Sequence, residues 1–328
     1  MKRFLSLGIL GAIVLSAMLY AVGVLTRDRA FAEADRALEA RALFFANTLD
    51  RTLQQRMMQT FTFAALPSVR AFAASDPVAR QPRAPVALTE LRAIVAADPN
   101  VRAASVVDPS GVVIMTTDNS MLAEWGARGF TREALQGHMH ASVPARQAGE
   151  TVQFFSAPIL DNLGEIAGAL ILQVNAQEMW SALDAPYAVV VVDEIGVRVM
   201  DRSFANLFVA LASLPTDVTA PRLAEKRYGA EITQIRATDL IDLADAVKRG
   251  GAAHVVYRDA KGRAFRAVTH RLITNPWTVI AFDSEDEILA PVRQQLFAQM
   301  GVAVVTALVV IAAVFAAQSL LQPTGRRS

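Results

Sequence analysis

Hydrophobic residues are concentrated in two long segments at the ends of the chain. Residues 4–25 contain no charged side chain, and residues 296–321 contain only isolated polar ones. A helix rises about 1.5 Å per residue, so each segment is long enough to cross a hydrocarbon core of about 30 Å. We therefore predict two transmembrane helices, 4–25 and 296–321. The alternatives are a cleaved signal sequence for the first segment and a buried helix of a soluble domain for the second.

An amphipathic pattern follows the first apolar segment. Apolar residues recur every three or four positions, at Leu38, Ala42, Phe45, Leu49, Leu53 and Met57. This spacing predicts one helix over residues 27–66, because it places these side chains on one face, and Pro67 ends it. The composition of residues 88–97 predicts a second, short helix that ends before Asp98 and Pro99.

Runs of β-branched residues around Asp-x-x-Gly sequences predict hairpins. VVDPSGV at 106–112 and VVDEIGV at 191–197 share the pattern V-V-D-x-x-G-V. The sequences DNLG at 161–164 and DAKG at 259–262 lie between two further pairs of predicted strands. We therefore predict two related α+β halves. The alternative is chance recurrence of a common turn sequence.

The residues that flank the apolar segments predict the orientation of the chain. Lys2 and Arg3 precede the first segment, and Arg326 and Arg327 follow the second. Basic residues favour the cytoplasmic side of a membrane. Both short tails are therefore expected in the cytoplasm, and the central region is expected outside it.

The overall composition argues against several classes of function. The chain has 32 Lys and Arg against 31 Asp and Glu, so no net field would hold it on nucleic acid. It has no cysteine, which removes thiolate metal sites, disulfides and cysteine nucleophiles. The motifs H-E-x-x-H, G-x-x-x-x-G-K-[ST] and G-x-S-x-G are missing. We therefore expect no enzyme, no cofactor, no metal site and no nucleic-acid partner.

Four sequence stretches carry a resemblance to a known family. They are VVDPSGV (106–112), RGFTREALQG (128–137), APILDNLGEIAG (157–168) and NPWTV (275–279). Over about residues 27–290 the chain resembles the double Cache sensor regions of bacterial chemoreceptors, histidine kinases and cyclases. The resemblance implies an α+β fold with two tandem PAS-like antiparallel-sheet subdomains on a long N-terminal helix. It also implies a homodimer in the bacterial inner membrane, with the central region in the periplasm and the ligand in the membrane-distal subdomain.

The expected organisation combines this resemblance with the apolar segments. In chain order, the predicted parts are a cytoplasmic N-terminus (1–3), a transmembrane helix (4–25), a long signalling helix (27–66), a membrane-distal Cache/PAS-like subdomain (67–183), a membrane-proximal Cache/PAS-like subdomain (184–284), a connecting helix (285–295), a second transmembrane helix (296–321) and a short cytoplasmic tail (322–328).

The resemblance also implies a set of ligand-binding residues. Amino-acid-binding members of the family carry Arg-x-Trp-Tyr-x-Asp, then a later Tyr and a final Asp. Among the matching positions only Arg128 is unchanged, and Asn175 replaces the Asp whose carboxylate would pair with a ligand ammonium. We therefore expect a carboxylated or uncharged ligand rather than an amino acid. The predicted ligand-binding residues are Trp125, Arg128, Phe130, Glu133, His140, Ser156 and Asn175. The alternative for Arg128 is a surface arginine beside two core aromatic residues.

The function expected from these features is extracytoplasmic sensing of a small molecule. The seven residues after the second apolar segment leave no room for a HAMP linker, kinase or cyclase. We therefore expect a sensor without its own output domain, which either signals through a cytoplasmic or membrane partner or is truncated. The alternative is a membrane-anchored scaffold that binds another protein through the Cache-like region and uses no small ligand.

Overall fold

A single long helix, α1 (Lys2–Ala64), begins the chain. The computed structural model describes residues 2–118, 125–126, 128–181, 188–202 and 204–321. With 63 residues, α1 is about 95 Å long, and it contains the first predicted span and all but the last two residues of the predicted signalling helix. It ends before Pro67, which begins the next helix. Met1, the predicted tail 322–328 and the predicted boundary between the halves at 183–184 lie outside the described residues.

The other helices are short except for the last one. In chain order they are α2 (Pro67–Ala73), α3 (Pro77–Arg80), α4 (Ala84–Ala97), α5 (Gly129–Leu135), α6 (Ala176–Ser181), α7 (Thr216–Ala224), α8 (Ile241–Arg249) and α9 (Glu285–Leu321), with a 3₁₀ turn at Phe204–Asn206. Helix α4 begins four residues before the predicted start at residue 88. Pro85 lies in its first turn, where the missing amide hydrogen costs no helical hydrogen bond.

Six strands form the first sheet, and all of their pairings are antiparallel. They are β1 (Val101–Val107), β2 (Val113–Thr116), β3 (His140–Ala141), β4 (Ala145–Gln147), β5 (Glu150–Leu160) and β6 (Ile166–Asn175). The order is β2-β1-β6-β5-β3, and β4 also pairs with β5. Strands β5 and β6 are central and almost fully buried.

Five strands form the second sheet, which is also antiparallel. The remaining strands of the chain are β7 (Val189–Val192), β8 (Arg198–Asp201), β9 (Val209–Ala210), β10 (Arg236–Ala237), β11 (Ala253–Arg258), β12 (Ala264–Arg271) and β13 (Thr278–Ser284). The sheet order is β11-β12-β13-β7-β8, whereas β9 and β10 form a separate parallel pair. The predicted α+β class, with antiparallel sheets and a long N-terminal helix, is confirmed.

Four hairpins of the two sheets use the same turn. In each, the aspartate Oδ1 accepts hydrogen bonds from the amides two and four residues later, and a glycine with φ between 77° and 85° follows it by three. The aspartates are Asp108, Asp161, Asp193 and Asp259. Glycine adopts this left-handed conformation without steric cost, so the Asp-x-x-Gly sequence specifies the turn locally.

Helix α1 packs against both sheets and joins them through one hydrophobic core. Its predicted stripe is buried from Leu38 to Leu53, and Met57 packs partly buried against the same core. This core includes Phe155 and Leu170 of the first sheet and Val191 and Val279 of the second. A displacement of α1 therefore acts on the packing of both sheets.

The last helix carries a second apolar segment. Of the residues that the structure describes, one segment, Glu285–Thr306, is long and apolar enough to cross a membrane by length and composition, and none of its most apolar part is buried against the protein. Helix α9 follows β13 directly and packs against α1. The C-terminal apolar helix therefore connects without a loop to the core of the second sheet.

Candidate functional site

A cavity of about 200 Å³ lies between the first and second sheets. We call it the junction cavity, because both halves of the chain line it. The residues discussed below are Arg128, Phe130 and His140 from the first half and Glu194, Arg227 and Trp277 from the second. Three of the seven predicted ligand-binding residues thus share one cavity. Residues that lie more than 50 positions further along the chain complete it.

Arg128 carries a positive charge into the wall of this cavity. It immediately precedes α5, and its Nη1 donates hydrogen bonds to the carbonyl oxygens of Glu225 (3.2 Å) and Lys226 (2.5 Å). Partial burial lowers the pKa of the Arg128 guanidinium from its usual range. Among the described residues no carboxylate lies within ion-pairing distance of it, and its guanidinium carbon lies 5.9 Å from the centre of the Phe130 ring. Among the described residues, its charge is therefore compensated by backbone carbonyl dipoles and the Phe130 ring.

Phe130 belongs to an aromatic cluster that covers one face of the first sheet. Its ring stacks on Phe154 at 4.6 Å between centroids, and Trp125 meets both rings edge-on at 5.6 to 6.0 Å. Ser156 is fully buried and its hydroxyl donates to the Phe130 carbonyl oxygen at 2.7 Å. Trp125 and Ser156 therefore support Phe130 from behind, whereas Phe130 itself reaches the cavity.

His140 lies in β3 opposite Ser156, and its ring lines the cavity. Burial lowers the pKa of His140, an effect that nearby Arg227 reinforces and Glu133 opposes. The ring is therefore neutral at pH 7 and offers one donor and one acceptor. It forms no hydrogen bond with any described residue. Glu133 is itself more exposed and lies 3.2 Å from His138 Nδ1.

Asn175 lies at the end of β6 and does not line this cavity. Its side-chain oxygen accepts hydrogen bonds from the amides of Gln177 (3.0 Å) and Glu178 (3.2 Å), which caps the start of α6. Asparagine is well suited to this role, because its oxygen satisfies amides that have no partner within the helix. The structure thus places this predicted ligand-binding residue apart from Arg128, Phe130 and His140.

A charged cluster forms the second-half side of the cavity. Glu194 accepts from Arg227 Nη2 at 2.7 Å and from Arg222 Nη2 at 3.4 Å. Arg227 Nε is buried, has no hydrogen-bond partner among the described residues, and lies 4.0 Å from Asp193 Oδ2. Burial, together with the nearby Glu194 charge, raises the pKa of the fully buried Asp193 to about 6. Arg227 Nε therefore lies beside the buried Asp193 carboxylate, and Arg227 Nη2 holds Glu194.

The segment after α7 carries Arg227 and holds the two halves together. We call residues 225–231 the bridging segment. Glu225 pairs with Arg132 at 3.0 Å, the Tyr228 carbonyl accepts from the Arg146 amide at 2.7 Å, and Glu231 accepts from the Gly149 amide at 3.1 Å. These contacts fasten the bridging segment to α5 and to the edge of the first sheet.

The sequence analysis did not identify the second-half wall. Glu194 was visible only as part of the repeated V-V-D-x-x-G-V pattern, which predicts a turn and no contact. The bridging segment has neither strand nor helix periodicity. Among the described residues, no group of three or more His, Asp or Glu side chains is placed to hold a metal ion.

Comparison with known proteins supports the fold. No protein-family model and no curated protein matches the chain. The sensor domain of the Vibrio cholerae histidine kinase DctB aligns with a TM-score of 0.62 at 12% identity, over 77% of this chain and 98% of that one. The sensory domain of the Campylobacter jejuni chemoreceptor Tlp3, solved with isoleucine bound, aligns with a TM-score of 0.57 at 12% identity, over 80% and 98%. The ligand-binding domain of the same chemoreceptor in complex with L-valine aligns with a TM-score of 0.56 at 11% identity, over 80% of this chain and 98% of that one. The chain therefore shares its fold with these sensory domains, and the resemblance found in the sequence is confirmed at the level of the fold.

Proposed function

We propose that this chain is a membrane-anchored extracytoplasmic sensor of a small molecule. The observation that carries the proposal is Arg128, a partly buried arginine without a carboxylate partner among the described residues, in the wall of a cavity between two sheets that share one long helix. The similar folds belong to the sensory regions of a histidine kinase and a chemoreceptor, which supports the same class of function. The chain would then convert ligand binding into a displacement of helices α1 and α9.

The ligand is proposed to carry a carboxylate. Arg128 uses one nitrogen for backbone carbonyls, so donors remain on a planar group that recognises carboxylates in a bidentate manner. Asn175 supplies no negative charge for a ligand ammonium. The proposal keeps four further predicted ligand-binding residues, Trp125, Glu133, Ser156 and Asn175. The side chains of Ser156 and Asn175 already form hydrogen bonds with backbone groups of the protein.

The signal is proposed to cross the membrane as a small helix displacement. Helix α1 contacts both sheets and α9, and its first part coincides with the predicted span 4–25. Ligand binding would favour one of two arrangements of α1 and α9. A homodimer, formed along α1, and a signalling partner in the membrane or cytoplasm complete the proposal.

The topology is proposed to be two-pass in the bacterial inner membrane, with both termini cytoplasmic. Because the chain has no cysteine, single introduced cysteines report on one position each. Ser110→Cys, in an exposed turn, should react with a membrane-impermeant maleimide in spheroplasts. Ser328→Cys should react only after permeabilisation. Labelling of both in intact spheroplasts would contradict this topology.

A thermal-shift screen of the full chain in detergent tests the sensor proposal. The panel contains small mono- and dicarboxylates, amino acids and uncharged analogues. At least one compound should raise the melting temperature, and Arg128→Gln should abolish the shift. Arg92→Gln, which changes an exposed arginine of α4, is the matched control and should leave the shift intact.

A scaffold that binds another protein is the second candidate function. The cluster of Trp125, Phe130 and Phe154 supports it, because these buried rings pack against one another and fill one face of the first sheet. That packing leaves less room for a small ligand in the first half. If no compound in the panel stabilises the chain, the sensor proposal fails and the scaffold is favoured.

A further inference from the structure

We infer that the junction cavity is a carboxylate site shared by the two halves, with Arg128 and Arg227 as its cationic groups, and that a bound carboxylate fastens the bridging segment to the first half. This inference rests on the proposed sensor function. It differs from the sequence prediction, which places every ligand contact in the first half.

The charge balance of the cavity favours an anion. On the second-half side, Asp193 and Glu194 face Arg222 and Arg227, so two negative and two positive groups offset each other. The carboxylate of Glu225 pairs with Arg132. Arg128 therefore leaves one uncompensated positive charge among the described residues of the cavity wall. A single carboxylate would neutralise it in a partly buried site, where water screens charge less than it does on the open surface.

Unused hydrogen-bond donors point to the same place. The Nε of Arg227 is buried and has no hydrogen-bond partner among the described residues. Because Nε lies beside Asp193 Oδ2 at 4.0 Å, Arg227 would meet a ligand in the cavity through another nitrogen of its guanidinium group. The His140 ring, neutral near pH 7, likewise forms no hydrogen bond with the described residues. A carboxylate offers several acceptor positions, enough for one oxygen to face Arg128 and the other to face Arg227 or His140.

The volume of the cavity limits the size of the ligand. A cavity of about 150 Å³ holds a molecule the size of benzene, so about 200 Å³ holds on the order of six to eight non-hydrogen atoms. Phe130 and Trp277 provide apolar walls for the part of the ligand beyond its carboxylate. The site thus fits a short-chain carboxylate.

A short series of hydrogen bonds connects this site to α1. Ala141, next to His140, accepts a hydrogen bond from the buried Asn275 side chain at 2.9 Å. The loop before Asn275 is held by Asp50 of α1, which accepts from the amides of Ile273 (2.9 Å) and Thr274 (2.8 Å). A ligand that closes the cavity therefore acts on a loop anchored directly to the long helix.

Binding of short carboxylates to the full chain in detergent, measured by calorimetry, tests the inference. The probes are acetate, propanoate, lactate and succinate, each compared with its amide. At least one acid should bind and its amide should not. Arg128→Gln and Arg227→Gln should each weaken binding by about tenfold or more. Arg249→Gln, which changes an exposed arginine of the second half, should have no effect.

Two further measurements keep the test decisive. If Arg227→Gln does not fold, Arg227→Lys retains the charge but removes Nε and the planar fork, and it should also weaken binding. Hydrogen exchange at the amides of residues 227–231 should slow by about tenfold or more with the bound acid, because the bridging segment opens less often. Unchanged exchange would overturn the proposed fastening.

The outcomes separate this inference from the proposed function. If a carboxylate binds and only Arg128→Gln affects it, the shared site is wrong and the sensor remains. If an uncharged compound or an amino acid stabilises the chain while no short carboxylate binds, the inference is again wrong and the sensor remains. If nothing in either panel binds, both fail.

Discussion

The hydroxyl of Tyr228 donates a hydrogen bond to the buried carboxylate of Asp193 at 2.5 Å. The other oxygen of Asp193 accepts from the amides of Ile195 and Val197. The bridging segment is therefore tied to the first turn of the second sheet through a polar contact that excludes water. Burial, reinforced by the Asp193 charge and hydrogen bond, raises the pKa of Tyr228, so its hydroxyl remains a donor throughout the physiological range.

Asp193 should give the folded chain a distinctive pH dependence. Its folded pKa of about 6 lies above its unfolded value, so the folded state binds more protons between about pH 4 and pH 6. The stability that it contributes is present below about pH 4 and is lost as the pH rises through 6. The melting temperature of the wild type minus that of Asp193→Asn should therefore decrease as the pH rises from about 4 to about 6.

Asp108 provides the control with the opposite sign. Although its partial burial acts to raise its pKa, hydrogen bonds from the Ser110 side chain and the Val112 amide lower the pKa overall. Its contribution is present above about pH 4 and is lost as the pH falls further. The melting temperature of the wild type minus that of Asp108→Asn should decrease as the pH falls below about 4. The same pH profile for both variants would contradict this assignment.

Gly229 should tolerate substitution less well than Gly149. Both have positive φ, but a Cβ at Gly229 would lie 1.9 Å from the carbonyl oxygen of Arg146, whereas a Cβ at Gly149 would meet nothing within 4 Å. Gly149→Ala should cost about 1 to 2 kcal/mol for its left-handed backbone. Gly229→Ala should cost more, since the Arg146–Tyr228 backbone hydrogen bond must also give way. Denaturant unfolding of both variants checks this, and equal costs would contradict it.

Asp35 and Arg266 should couple α1 to the second sheet. Arg266 donates two hydrogen bonds to Asp35, at 2.8 and 2.7 Å, and its guanidinium lies 4.7 Å from the Phe31 ring centre. A double-mutant cycle with Asp35→Asn and Arg266→Gln should give a coupling of about 1 kcal/mol that decreases with salt. The exposed Asp245–Lys248 pair, 3.8 Å apart, is the control and should give less. Equal coupling in the two cycles would contradict the anchoring role.

Ser156→Ala and Asn175→Ala should lower stability more than they lower ligand affinity. Each side chain already satisfies backbone groups, at the Phe130 carbonyl and at the start of α6. We expect a loss of about 1 kcal/mol in each variant by denaturant unfolding. Calorimetry with a bound carboxylate supplies the second measurement. A loss of affinity of about tenfold or more would instead support direct ligand contact.

The elements that the sequence predicted correctly are those set by local interactions. Each Asp-x-x-Gly sequence forms its turn because the hydrogen bonds involved lie within five residues. The apolar stripe from Leu38 to Leu53 follows the period of the helix, which is local, although its burial comes from packing against both sheets. The start of α4 was predicted four residues too far along the chain. Proline usually interrupts a helix, but Pro85 lies in the first turn of α4, where it is tolerated.

The sequence by itself determined the helix periodicity, the turns, the strand pattern and the positions of the apolar segments. Only the tertiary structure decided that Arg128, Glu194 and Arg227 line one cavity, whereas the cap that Asn175 forms on α6 is a local interaction. The physical reason is that the cavity forms where two sheets and the bridging segment pack together. Contacts between residues far apart in sequence leave no periodic pattern, so their chemistry appears only after the halves are assembled.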